Sequence, residues 1–391
     1  MWQHQKMDNL TRISIVLLAS FLLSACSWFG GDDDTALLPA ELVEFTPEFE
    51  PTVAWSKDTG SGTADDYSQI GVWVQEEAVI AVDHDGDVTS YEIQTGKTLW
   101  HKDLDVSVAT GAGGGNGLVL IGTTKGELIA LDETNGEVMW KNQLTSEVLS
   151  PAKASHGIVV ARTSDGRLTG LSATDGTRLW SYQRAVPLLS LRGAGEAVIS
   201  GEMVIAGYAN GKLVALSLND GVVIWETSVA IPKGRTELDR LVDIDSTPVV
   251  YDDVVYVVAF QGRLAAVSLD TGRILWARDF SSRTGLDVEP RNSVYVSDES
   301  DYVWALQDGS GDALWRQTRL LRRKITAPVI VGDNVIVGDF EGYVHWISRE
   351  DGRFVARKRI AGEAIRSKPV VKDDLVFVTA SDGTLTAFRI K

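Results

Sequence analysis

Leu128 to Trp140 reads LIALDETNGEVMW: an apolar run, a polar turn with glycine, and a second apolar run ending in tryptophan. Both runs are short, aliphatic and partly alternating, which is the pattern of strands packed in layers. The Asn-Gly pair supplies the positive φ that a tight hairpin requires. The pattern recurs as YEIQTGKTLW ending at Trp100, LSATDGTRLW at Trp180, LSLNDGVVIW at Trp225, VSLDTGRILW at Trp276 and LQDGSGDALW at Trp315. One further copy, EDGRFVA, carries Ala356 where the others carry tryptophan. Upstream of each hairpin lies another apolar run with its own turn, as in VVARTSDGRL and VIVGDFEGYV. No amphipathic helical period emerges in the body of the chain.

Each repeat therefore offers four short strands. Pro151, Pro248, Pro328 and Pro369 stand at the start of the first of them, where a missing backbone donor is tolerated. Four-stranded units recurring every 40–45 residues predict a β-propeller. The last copy, DDLVFVTASDGTLTAFRIK, stops after its hairpin, whereas PTVAWSKD near the N-terminus is a lone strand with Trp55. The expectation is an all-β, eight-bladed propeller over residues 51–391, closed by that N-terminal strand. A seven-bladed ring with a stray segment is the competing count. The tryptophans are expected in the grooves between blades, against the alternative of a tryptophan-lined ligand surface.

Residues that break the repeat are better candidates for function than residues that make it. Trp140 to Trp180 spans 40 residues, but Trp180 to Trp225 spans 45 and Trp225 to Trp276 spans 51. The excess lies in two successive connections, Arg184 to Ala197 and Ala230 to Pro248. The first places Leu188, Leu189 and Leu191 beside Arg192, and the second holds Asp239, Asp243 and Asp245 with Arg235 and Arg240. Leucines around an arginine suit a protein-contact patch. The competing reading is inner-strand core and a solvated loop.

The N-terminus has a different logic. Lys6 and Arg12 precede an apolar run, Ile13 to Leu23, too short to span a bilayer but suited to a signal peptide. It ends Leu23-Ser24-Ala25-Cys26, which resembles a bacterial lipobox. This implies a signal peptide over residues 1–25, lipidation at Cys26 and, with Ser27 following, sorting to the outer membrane. Such a lipid anchors a chain to a membrane without spanning it. Residues 26–50, acidic and aperiodic, are expected to form a tether, with a docked strand as the alternative near Phe49.

Composition removes several functions. Net charge is −17, which argues against nucleic-acid binding. A single cysteine forms no internal disulfide or Cys-rich metal site. Asp83-His84-Asp85-Gly86-Asp87 lacks the glycine and glutamate of a calcium loop and reads as a hairpin turn. Gly111 to Gly117, GAGGGNG, is followed by a strand rather than a helix and reads as a loop. The five histidines show no ligand spacing. Arg316, Arg319, Arg322, Arg323 and Lys324 are expected in a solvated loop and strand start, with an anionic contact as the alternative. No catalytic residue, metal site or cofactor is expected.

The repeat resembles that of the quinoprotein dehydrogenase propellers, but without the adjacent cysteine pair or calcium ligands of those enzymes. A closer resemblance is to the BamB family of outer-membrane assembly lipoproteins. It rests on the lipobox, the acidic tether, SLRG at Ser190 to Gly193, TELDRLVDIDSTPVV at Thr236 to Val250, and EGYVHWISREDGRFVA at Glu341 to Ala356. The resemblance implies a non-enzymatic scaffold of the β-barrel assembly machinery at the periplasmic face of the outer membrane. Its implied partners are the POTRA region of BamA, the other lipoproteins of the machinery and unfolded barrel precursors. The implied contact residues are Leu189, Leu191, Arg192, Asp243 and Asp245. A periplasmic PQQ-dependent dehydrogenase and a glycan-binding propeller are the alternatives.

Overall fold

The computed structural model describes residues 38–63, 70–185, 195–232, 235–236, 241–289 and 291–390. Residues 41–391 form one compact unit. Blade one pairs Trp73–Val74, Ala78–Val82, Asp87–Glu92 and Thr98–Asp103 antiparallel in that order. The order repeats in the blades that begin at Gly113, Lys153, Val198, Val249, Leu286 and Val329. Blade eight takes three strands from the C-terminus and its outer strand, Thr52–Asp58, from the N-terminus, in register from Thr52 opposite Arg389 to Asp58 opposite Thr384. The described residues thus make eight four-stranded units. Leu375, Phe377 and Leu385 of the last unit pack with Val79, Ala81 and Tyr91 of the first, which closes the ring.

The second and third strands of each blade carry the core, because neighbouring blades cover both faces. Leu118–Gly122 and Ile158–Arg162 are buried at every position. Turns between second and third strands lie at the same end of a blade as the connections leading out of its outer strand. This follows from the antiparallel order and places both long connections at one end of their blades.

The repeat tryptophan is set by a bulge. In blade one, Trp100 pairs with Ser90 and Thr98 with Tyr91, so Leu99 is the extra residue. The register shifts at the same place in blades two to seven. A bulge re-aims the side chains beside it. Here the residue before the tryptophan turns outward: Leu99, Met139, Leu179, Ile224, Leu275 and Leu314 are exposed. The indole turns into the groove against the next blade. The Trp180 Nε1 donates to the Leu218 carbonyl at 2.7 Å, and Trp55, Trp100, Trp140, Trp225 and Trp315 make the equivalent bond at 2.7–3.0 Å. The ring lies on the hairpin glycine of that blade. A Cβ on Gly221, which sits at φ +70°, would come within 2.6 Å of Trp180. Glycine is thus required twice there, by backbone angle and by ring contact, which is why the two residue types repeat together.

The glycine run overturns the expectation of a loop. Gly113–Gly115 is the inner strand of blade two. Gly114 pairs in parallel with Lys153, joining blades two and three into one eight-stranded sheet. The close approach leaves no room for side chains: a Cβ on Gly113 would collide with the Ala152 carbonyl oxygen and one on Gly115 with the Ala154 carbonyl oxygen. The four prolines stand just ahead of the inner strands rather than within them. Asp83 lies in the expected turn, its Oδ1 accepting from the N–H groups of Gly86 and Asp87 at 3.0 and 2.9 Å.

The basic run is not uniformly solvated. Arg316 stacks over Trp304 at 4.8 Å, and Arg323 is only 3% exposed. The Arg323 guanidinium binds Asp339 at 2.7–2.8 Å and also pairs with Glu341. Asp339 in turn meets His345 Nε2 at 2.9 Å, with both side chains fully buried. Arg357 Nε donates to His345 Nδ1 at 3.2 Å, so the imidazole proton sits on Nε2 and points at Asp339.

Candidate partner-docking site

The two long connections meet. Gly195, at the end of the first, lies so close to the second that a Cβ there would be 2.7 Å from the Asp245 carbonyl oxygen. The Glu196 N–H donates to the Thr247 hydroxyl at 3.1 Å. Leu189, Leu191 and Arg192 lie outside the described residues, as does Cys26.

Asp243 is held by backbone. The Phe260 N–H of blade five donates to the Asp243 carbonyl at 2.8 Å, and the Asn210 and Ile244 N–H groups tie the segment to blade four at 2.8 and 3.3 Å. Ser107, Glu147 and Ala364 present the same carbonyl at the corresponding junctions, where Thr124, Ser164 and Ser381 donate. The backbone alone therefore does the scaffold's work here. An aspartate is not needed for it, although the Asp243 carboxylate does accept a long bond, 3.4 Å, from the Asn210 N–H. Asp243 is 1% exposed. A buried acid of this kind requires compensation by charge or hydrogen bonds.

Part of that compensation comes from a residue the sequence reading did not select. Arg162 ends the second strand of blade three, passes under Gly195 and donates from Nη1 to its carbonyl at 2.9 Å. Its guanidinium stacks 5.1 Å from the centre of the Tyr208 ring. Burial lowers its pKa, and the nearby Tyr208, Asp245 and Asp243 oppose that shift. An arginine closing the apolar run IVVAR was the available signal. Arg184, at the start of the first connection, pairs with Glu226 at 2.5 Å.

The polar groups around these connections are incompletely satisfied. Arg162 Nε, the Tyr208 hydroxyl, Asn210 Oδ1 and Asp245 Oδ2 are buried and make no hydrogen bond among the described residues. Burial, reinforced by the charge of Asp243 and opposed by Arg162, pushes the Asp245 carboxyl up to about 7. Its folded pKa thus lies above the ordinary value of 3.8. The stability it contributes is complete below 3.8 and is lost as pH rises through 7. Asp245→Asn should therefore raise the melting temperature at pH 8, with the advantage shrinking between pH 7 and pH 5. Melting curves across that range check it. An advantage independent of pH would contradict the burial of this charge.

The family model described as outer membrane protein assembly factor BamB matches residues 84–317 and 305–391. The chain belongs to the BamB family. A BamB from Pseudomonas aeruginosa is 46% identical over 355 residues, covering 91% of this chain and 93% of that protein. The crystal structure of BamB from Moraxella catarrhalis superposes with a TM-score of 0.80 at 28% identity, covering 87% of this chain and 99% of that one. Quinohemoprotein alcohol dehydrogenase from Comamonas testosteroni shares the fold, with a TM-score of 0.67 at 13% identity over 86% of this chain and 76% of that one. The quinoprotein-like repeat thus reports the propeller, whereas the near relatives are BamB proteins.

Proposed function

We propose that this BamB-family chain is a non-enzymatic scaffold of the outer-membrane β-barrel assembly machinery. It docks on the periplasmic POTRA region of the central barrel-insertion protein and helps deliver barrel precursors. The other lipoproteins of the machinery are its neighbours in the assembly. A signal peptide over residues 1–25 is removed and lipid on Cys26 holds the chain to the periplasmic face of the outer membrane.

The observation that carries this reading is the convergence of the two repeat-breaking connections around Asp243 and Asp245. A carboxylate oxygen of Asp245 that has no donor among the described residues, beside the buried Asp243, suits a basic side chain brought by a partner. Leu189, Leu191 and Arg192 belong to the adjoining connection, and leucines with an arginine are residue types suited to a protein contact. A partner cation favours the ionised form of Asp245, so docking should strengthen as pH rises through 7.

Purification of the full chain from membranes in mild detergent tests the assembly role. The barrel-insertion protein should co-purify, and labelled palmitate should enter the unaltered chain and be absent from Cys26→Ala. Recovery without the barrel-insertion protein, or no palmitate in the unaltered chain, would contradict the reading.

A further inference from the structure

Seven grooves between neighbouring blades are filled alike, by a tryptophan lying on a hairpin glycine: Trp55 on Gly96, Trp100 on Gly136, and so on to Trp315 on Gly352. The groove between blades seven and eight differs. Ala356 stands at the tryptophan position, opposite Trp346. Blade eight offers no hairpin glycine, because its outer strand arrives from the N-terminus. The groove is instead lined by Trp346, Val376, Phe388 and Ile390, and Phe49 enters it. A cavity of about 220 Å³ remains beside Phe49.

Phe49 belongs to a segment with a pattern of its own. Residues 41–50 read ELVEFTPEFE. Val43, Phe45 and Phe49 are half-buried, and Glu44, Thr46 and Glu48 are exposed. The segment is irregular backbone that lies along the outer strand of blade seven, with Val43, Phe45 and Phe49 as its half-buried contacts. The Glu48 N–H donates to the carbonyl of the bulge residue Val355 at 2.8 Å. Arg357 Nη1 donates to the Val43 carbonyl at 3.1 Å and its guanidinium covers the Phe45 ring at 5.0 Å. Phe45 stacks on Phe354 at 5.7 Å, and Phe49 meets Trp346 edge-on at 6.4 Å. The cover is visible in the bulge residue: Val355 is 3% exposed, whereas Leu99, Met139 and Leu179 are 51–54% exposed in the uncovered blades.

We propose that this wall of blade seven is a binding site for an extended peptide with two aromatic side chains four residues apart, and that residues 43–49 occupy it in cis. The backbone bond to Val355 is the start of strand addition to a sheet edge, the groove supplies an aromatic pocket, and the spacing of Phe45 and Phe49 selects the peptide. Strands of outer-membrane barrels are extended, carry aromatic girdles and present residues an even number apart on one face. The naming of that ligand class rests on the function proposed above; the site rests on the geometry alone. An intramolecular occupant acts at an effective concentration in the mM range, so a ligand in trans must displace it.

The test is fluorescence anisotropy of a labelled peptide of residues 41–50 with the full chain. Replacing Phe45 and Phe49 together by alanine empties the site and should strengthen peptide binding at least tenfold over the unaltered chain. Adding Ala356→Trp refills the groove with the side chain used elsewhere in the ring and should abolish that gain. A folded Phe45→Ala, Phe49→Ala chain that shows no gain would overturn the site, as would a gain that survives Ala356→Trp. Should the double variant not fold, saturating peptide on the unaltered chain must speed amide exchange in residues 43–49, and unchanged exchange overturns the proposal. A second probe, a barrel-strand peptide with two aromatics four residues apart, should bind at least tenfold tighter than its scrambled sequence. Equal binding of the two overturns the ligand class. None of these readouts depends on POTRA binding, so failure here and failure of the docking reading are separable.

Discussion

Trp180→Ala should destabilise the propeller by about 3–5 kcal/mol, the range for emptying a large aromatic site. The indole is 7% exposed, lies on Gly221, and donates from Nε1 to the Leu218 carbonyl. Removal leaves a cavity between two blades and takes the donor from a buried carbonyl, and the rigid sheets on either side cannot close over it. The neighbouring residue provides the control. Leu179 is the bulge residue, 51% exposed, and Leu179→Ala should change stability by less than about 0.5 kcal/mol. Urea unfolding of the two variants compares adjacent side chains of similar hydrophobicity. Equal losses would show that the tryptophan is not a lock between blades.

The second large effect is expected at Asp339. Asp339→Asn removes the charge that faces both Arg323 and His345, all three at most 3% exposed. Breaking one member of a buried ionic group costs about 3–5 kcal/mol, because Arg323 loses its buried counter-charge and keeps the half-exposed Glu341 in a site water does not reach. Burial pushes the Asp339 carboxyl up, but His345 and Arg323 outweigh it and hold the group below the usual range. Burial also lowers the His345 pKa, aided by Arg357 and Arg323 and opposed by Asp339. The unfolded chain therefore takes up a proton near pH 6.5 that the folded chain refuses. Stability from this group is present above 6.5 and is lost as pH falls below it. Melting curves between pH 7.5 and pH 5 should show that loss in the unaltered chain and a shallower one in His345→Gln. Parallel curves would contradict the neutral buried imidazole.

Much of the ring was legible in the sequence, because a repeated contact writes a repeated residue. Each hairpin glycine is under a tryptophan, so the pair recurs and its spacing counts blades. The same reasoning separated the two long connections, since loops are where a repeat tolerates extra residues. The features that escaped are single events. Gly113–Gly115 is a strand because one neighbour approaches closely, and composition alone suggests a loop there. Arg323 is buried because Asp339 and Glu341 meet it from residues 16 and 18 positions away. Arg162 reaches the two connections from blade three, far in sequence from Asp243 and Asp245. The cover over blade seven reads as an acidic tether by composition; its two phenylalanines become informative only once Ala356 is seen to leave a groove unfilled.

The docking surface proposed for the two connections is tested most directly by titrating the barrel-insertion protein's POTRA region onto the full chain. The comparison is with a variant carrying Leu191→Ala, Arg192→Ala and Asp243→Asn together, shown by its melting curve to be folded. Binding should be retained by the unaltered chain, weaken at least a hundredfold in the triple variant, and weaken in the unaltered chain as pH falls below 7. Unchanged POTRA binding by the folded triple variant would place the partner elsewhere on the propeller.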